Sequence, residues 1–209
     1  MTPTGRYIFF TLNDEEYEYR QKNQRWGFYD AQGTLFEGES PVLDGLEGIR
    51  TANAIGEKMI NDLVKSDRKI VINQVEGENK IKEFDDGGEI EVSWNPYEPH
   101  GGVGKLSDGT YTRYRHENCA LAHELGHAYD YSYLSGEDKK NISILHPGVD
   151  SSEMVACIIE NSLREVYGDP IRISYGINKG SGKETISQKS LLNYTRWDRR
   201  ALYNIMLTK

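Results

Sequence analysis

Only two cysteines, Cys119 and Cys157, occur in the 209 residues. That is too few for a disulfide framework. Both fall in stretches of helical spacing, where a reduced cysteine packs as a small apolar side chain. Long hydrophobic runs are also missing. Hydrophobic residues make up 37% of the chain and mean hydropathy is −0.69, so no segment competes as a membrane span. The opening "MTPTGRYIFF" lacks the basic-then-apolar layout of a signal peptide, and export by a general secretory route is not expected. Positive charge is in deficit. The net charge of −8 and pI near 5.2 argue against a nucleic-acid binder that works by neutralising phosphates. There is no internal repeat and no low-complexity tract.

The chain does carry alternating strand signals and two long helical ones. Gly5 to Gly38 reads as β, with "RYIFFTL" as a strand and "WGFYDAQGTLFEG" as a hairpin turning near Gly33. "ESPVLDG" reads as a connector. Leu46 to Ser66 has helical spacing. "KIVIN" reads as a strand, and "KIKEF" and "EIEVSW" flank "DDGG" as a hairpin. "NPYEPHGGVGKLSDG" and "LSGEDKKNISILHPGV" read as connectors around a helix from Glu117 to about Tyr133. A second long helix runs from Asp150 to Val166 and stops at Gly168-Asp169-Pro170. "GINKGSGKE" reads as a loop, and Leu191 to Leu207 as a last helix. Strands, a helix, more strands and then helices give an α+β fold rather than a doubly wound sheet.

Within the first long helix lies "HELGH". His123 and His127 are four apart, one turn above the other on one face. Both imidazoles can therefore aim at one metal ion. Glu124 is turned by about 100° from His123, from where it reaches a water on that metal without ligating it. A zinc ion lowers the pKa of such a water from near 16 to about 7. Glu124 could then take its proton and pass it to a leaving amine. The small neighbours Ala120, Ala122, Gly126 and Ala128 leave the histidine face uncrowded, Gly126 permits close approach of another element, and Leu121, Leu125 and Tyr129 supply an apolar face.

A catalytic zinc takes three protein ligands and keeps a position open. A metzincin would need Gly and then His or Asp after the second histidine, but Asp130 and Tyr133 occupy those places. His100, His116 and His146 read as solvated loop histidines. The remaining source is the second long helix, where Glu153 and Glu160 lie two turns apart and share a face with Cys157 and Arg164. Cys157 follows Glu153 by one turn and is small and neutral. Arg164 follows Glu160 by one turn and is a cation that zinc repels. Glu153 is therefore favoured as third ligand, with Glu160 as the alternative. Glu153 could instead close a capping box with Asp150.

Hydrolysis of an amide also needs donors for the developing oxyanion. "IRISYG" offers Arg172 and Tyr175. Their spacing places them on opposite sides of an extended segment, so both reach one site only if the chain bends there; otherwise this is an ordinary strand.

Taken in order, "HELGHAYDY", "EMVACIIENSLREVYGDP" and "IRISYG" resemble the NleD-like zincin effector peptidases and the related metallopeptidase tips of Rhs-type polymorphic toxins. The resemblance spans about Glu89 to Gly176. It implies a gluzincin: Zn2+ on His123, His127 and a glutamate, Glu124 as general base, and Arg172 with Tyr175 as the transition-state pair. It implies an edge strand at "EIEVSW" to which an extended substrate adds. Ser152 departs from the family, which commonly has a second carboxylate there. The first residues resemble the junction between an Rhs shell and its toxin, giving a β-rich segment over 1–44 and the zincin domain over 45–209.

The expected function is a zinc endopeptidase, delivered by a specialised secretion system as an effector or interbacterial toxin, that cleaves a protein in the target-cell cytoplasm. A cognate immunity protein is the expected partner; nucleic acid is not. Two other readings stand beside it: a metal-stabilised module that binds a partner without cutting it, and a zincin acting on cell-wall peptide.

Overall fold

Buried apolar residues alternate along three strands: Ile8 and Phe10 in β1 (Ile8–Leu12), Ile70 and Ile72 in β4 (Lys69–Gln74), and Ile90, Val92 and Trp94 in β6 (Glu89–Trp94). In a strand that period directs one set of side chains to a single face. The parallel register β1–β4–β6 pairs Ile8 with Ile70, Phe10 with Ile72, Ile70 with Ile90 and Ile72 with Val92. These rows form the floor of the core. The computed structural model describes residues 8–12, 15–84, 88–145, 149–174, 177–180, 183–186 and 196–209.

β2 (Glu15–Lys22) and β3 (Arg25–Tyr29) extend one side of the sheet, and β5 (Lys80–Glu83) closes the other, giving the order β3-β2-β1-β4-β6-β5. β2 and β3 join through Asn23 and Gln24, both at positive φ, as a two-residue hairpin turn requires. The expected second strand after Gly33 reduces to one bridge, Tyr29 to Leu35. The N-terminal segment 1–44 contributes β1 to β3 to this sheet, and Phe10, Tyr19 and Phe28 lie in the same core as the later helices.

The expectation that Glu89–Trp94 is the sheet edge is overturned. β6 lies between β4 and β5, because the hairpin folds β5 back antiparallel on it, Ile81 opposite Val92 and Glu83 opposite Ile90. The edge is β5. Asp85 to Gly87 of the hairpin turn lie outside the described residues.

The described residues also form six helices: α1 (Pro41–Ala52), α2 (Ala54–Leu63), α3 (Glu117–Tyr133), α4 (Gly136–Leu145), α5 (Ser151–Tyr167) and α6 (Arg196–Leu207). The single helix expected over Leu46–Ser66 is broken at Asn53, whose backbone is extended. The Asn53 side chain accepts from Ile55 N and Gly56 N as the cap of α2 and donates to the Ser162 carbonyl at 2.9 Å. α1 starts earlier than expected because Ser40 caps it and Pro41 sits in its first turn. The polar connector after Leu134 contains α4. The Gly- and Pro-rich stretch before α3 contains β7 (His100–Lys105), and β8 (Tyr111–Tyr114) follows it. With β9 (Arg172–Ser174) they make a second sheet, ordered β8-β7-β9. β10 (Ile177–Gly180) and β11 (Lys183–Ile186) pair where a loop was expected.

α3 lies inside the molecule, with every residue from Asn118 to Asp130 buried. The uncrowded histidine face expected from its small residues is instead covered, chiefly by α5. Contact is close because of Gly126: a Cβ there would lie 2.8 Å from Ala156 Cα. α5 ends at Gly168, which adopts the left-handed φ of 74° that glycine tolerates best.

Candidate metal centre

His123 and His127 occupy successive turns of α3, their rings 4.9 Å apart and perpendicular. Facing them from the first turn of α5 is Glu153. One of its oxygens lies 3.6 Å from His123 Nε2 and the other 3.6 Å from His127 Nε2. Ligands on a tetrahedral ion at bond lengths of about 2.0–2.1 Å are separated by about 3.3–3.4 Å. The three side chains are therefore spaced to hold one metal ion. The cap of α5 is supplied by Asp150, which accepts from the Ser152 amide at 2.9 Å and from Ser152 Oγ at 2.7 Å.

Glu160, two turns further on, is completely buried. One oxygen accepts from Arg164 Nε at 2.9 Å and faces Arg115 Nη1 at 3.5 Å. The other accepts from Arg172 Nη1 at 2.6 Å and lies 3.1 Å from His123 Nδ1. Burial alone would raise the Glu160 pKa, but Arg172, Arg164, His123 and Arg115 outweigh it and hold the carboxyl well below its ordinary value. Arg172 Nη1 also lies 3.2 Å from His123 Nδ1. If Nδ1 carries a proton for Glu160, these two nitrogens are both donors, and the arginine bond belongs to Glu160. That tautomer leaves His123 Nε2 free to face Glu153 and the metal position. Cys157 and Glu160 form a second grouping with His123, entirely buried.

Burial opposes charge on His123, yet hydrogen bonds with Cys157, Glu153 and Glu160 raise its pKa well above the usual histidine value. His127 goes the other way. Burial, followed by the charge of His123, pushes it down to about 4. Glu124 is buried beside them, and desolvation raises its carboxyl while His123 and Arg115 pull it back. A raised carboxyl suits a group that takes and returns a proton.

A cleft of about 430 Å³ opens at His123 and Glu124 and is lined also by Glu78, His100, Arg113, Arg115 and Arg172. A larger hollow of about 520 Å³, between Asn53, Ile55, Arg199 and Tyr203, shares no residue with it. No family model, curated protein or solved structure matches the chain. Its chemistry is therefore read from the site itself.

Of the residues expected at the site, His123, Glu124, His127 and Glu153 come together. Glu160 stands behind His123 with Arg172. Tyr175 and His146 lie outside the described residues. His116 caps α3, accepting from Asn118 N at 3.2 Å, and stacks on Tyr167 at 3.9 Å. His100 lines the cleft, its Nδ1 3.0 Å from Glu98. Sequence reasoning missed Arg113 and Arg115. The signal was present in "GG" at 101–102: a Cβ on Gly101 would lie 2.5 Å from Arg115 Nε, and one on Gly102 would lie 1.7 Å from Arg172 Nε. The paired glycines make room for two buried arginine side chains.

Proposed function

We propose that this chain is a zinc endopeptidase of the gluzincin type that acts as a delivered effector or toxin on a protein inside the target cell. The observation that carries the peptidase reading is the trio His123, His127 and Glu153 with both imidazole Nε2 atoms 3.6 Å from one carboxylate, beside a buried Glu124 on a cleft. Zn2+ fits this N,N,O donor set and, when bound, would supply Lewis acidity toward a carbonyl and toward water. Glu124 would take a proton from the attacking water onto its carboxylate and return it to the leaving amine nitrogen. Glu160 would hold the His123 ring by accepting from Nδ1, and Arg172 would keep Glu160 ionised and in place. Tyr175 follows β9 closely and stands as the proposed oxyanion donor alongside Arg172. The substrate main chain would add to β5, whose outer side carries no strand among the described residues. The delivery route, the target-cell site of action and an immunity partner are supported by the motif resemblance alone.

Glu124→Gln tests the reading. It should leave the zinc content unchanged and abolish cleavage, so that new protein termini appear only in target cells expressing the native chain. Equal toxicity of the two proteins, with no new termini, would favour a binding module.

A further inference from the structure

We propose that the cleft beside the metal centre binds a carboxylate of the substrate through Arg113 and Arg115, so that cleavage selects peptides with an acidic group close to the scissile bond. The statement about selection rests on the peptidase reading; the statement about binding does not.

The two arginines are two residues apart at the end of β8 and both line the cleft. Arg113 is exposed. Its Nε donates to the Gly101 carbonyl at 3.0 Å, which fixes the guanidinium plane, and it has no salt bridge among the described residues. Arg115 is only 6% exposed. Its ion pair with Glu160 is long, 3.5 Å, because Glu160 already takes shorter bonds from Arg164 and Arg172. Its Nε is buried with no acceptor among the described residues. Three guanidiniums thus share the Glu160 carboxylate, and Arg115 holds the longest of these contacts. Arg164 offsets part of its burial by donating to the carbonyls of Pro170 and Tyr114. Among the described residues the Arg115 side chain has no such bonds to carbonyls and no hydrogen bond to Glu124.

A buried cation without an adequate counter-ion is costly, and a guanidinium pairs with a carboxylate better than with any neutral peptide group. The cleft is the open side of this cluster. Glu78 also lines it, from the segment just before β5, so an incoming carboxylate is disfavoured there and favoured beside β8. The carboxylate could be an internal Asp or Glu side chain or a free chain terminus; both present the same two oxygens.

Retention on zinc-loaded, immobilised Glu124→Gln protein separates the cases. The probes are acetylated, amidated dodecapeptide pools with Glu, Gln, Lys or Leu fixed at the centre and the other positions randomised. A further Gln pool carries a free C-terminus. The Glu pool should be retained about tenfold better than the Gln pool, the scale of one charge-assisted pair. In the added background of Arg113→Glu, with an unchanged circular dichroism spectrum, the ratio should fall to about one and the Lys pool should gain. Preference limited to the free-carboxyl pool would assign the carboxylate to a chain end and keep the inference. Equal retention of every pool would overturn it. So would an acidic preference that survives both Arg113→Glu and Arg115→Lys, because the carboxylate would then sit on the metal. Cleavage of the same pools by the native chain is read separately. Cleavage without acidic bias sinks this inference and leaves the peptidase standing, whereas acidic retention without cleavage does the reverse.

Discussion

The first turn of α5 and its middle carry the same side chain on the same face, in opposite surroundings. Glu153 has a side chain 35% exposed and turns both oxygens toward imidazole nitrogens. Glu160 is fully buried and takes its bonds from arginines drawn from β9, α5 and the end of β8. A carboxylate near the surface with two imidazole nitrogens in front of it can take a metal. A carboxylate enclosed by guanidiniums is already satisfied and instead orients the histidine between them. The role of each glutamate follows from what surrounds it.

The largest expected effect is on the buried member. Glu160→Gln removes the shared partner of Arg115, Arg164 and Arg172 and should cost about 3–5 kcal/mol of stability, the scale for breaking a buried pair on one side. Denaturant unfolding in chelator measures it. The pH dependence follows from the depressed carboxyl. Its contribution is complete above the ordinary value of 4.5 and is lost as pH falls through the lower folded value. The gap between native and Glu160→Gln protein should therefore narrow on acidification below about pH 4.5.

Glu153→Gln should reverse the pattern. Stability in chelator should stay within about 0.5 kcal/mol, as for a surface change away from buried networks. Zinc affinity should fall beyond the roughly 10–100-fold typical of losing an outer partner such as Glu160. If Glu160→Gln weakens zinc more than Glu153→Gln does, as a calorimetric titration would report, the two roles are exchanged.

Gly126→Ala probes the spacing that lets both glutamates meet α3. Its Cβ would meet Ala156, between the two glutamates on α5. Overpacking of this kind costs about 1–3 kcal/mol. Thermal unfolding should show that loss, together with a weaker zinc site, since the ligands come from the two helices being pushed apart.

How much of this was legible in the sequence varies with distance along the chain. The four-residue spacing of His123 and His127 and the seven-residue spacing of Glu153 and Glu160 are local helical facts, and both helices stand where that period put them. "DDGG" marked the β5–β6 hairpin, but strand signals do not reveal sheet order, so β6 was read as an edge it does not form. Asn53 fell in step with an apolar stripe, and only its tie to Ser162 shows why the helix breaks there. The glycines that read as loop in "HGGVGK" instead give β7 a floor that Arg115 and Arg172 can cross. The arginine cage was illegible because its members come from separate elements and meet only once those have packed.

X-ray absorption at the zinc edge of the zinc-loaded protein tests the central assignment most directly. Two imidazole nitrogens and carboxylate oxygen, with no sulfur neighbour, are predicted from His123, His127 and Glu153. A sulfur scatterer would contradict it by moving the ion to Cys157, His123 and Glu160, and failure of the folded protein to retain zinc at all would remove the metal centre altogether.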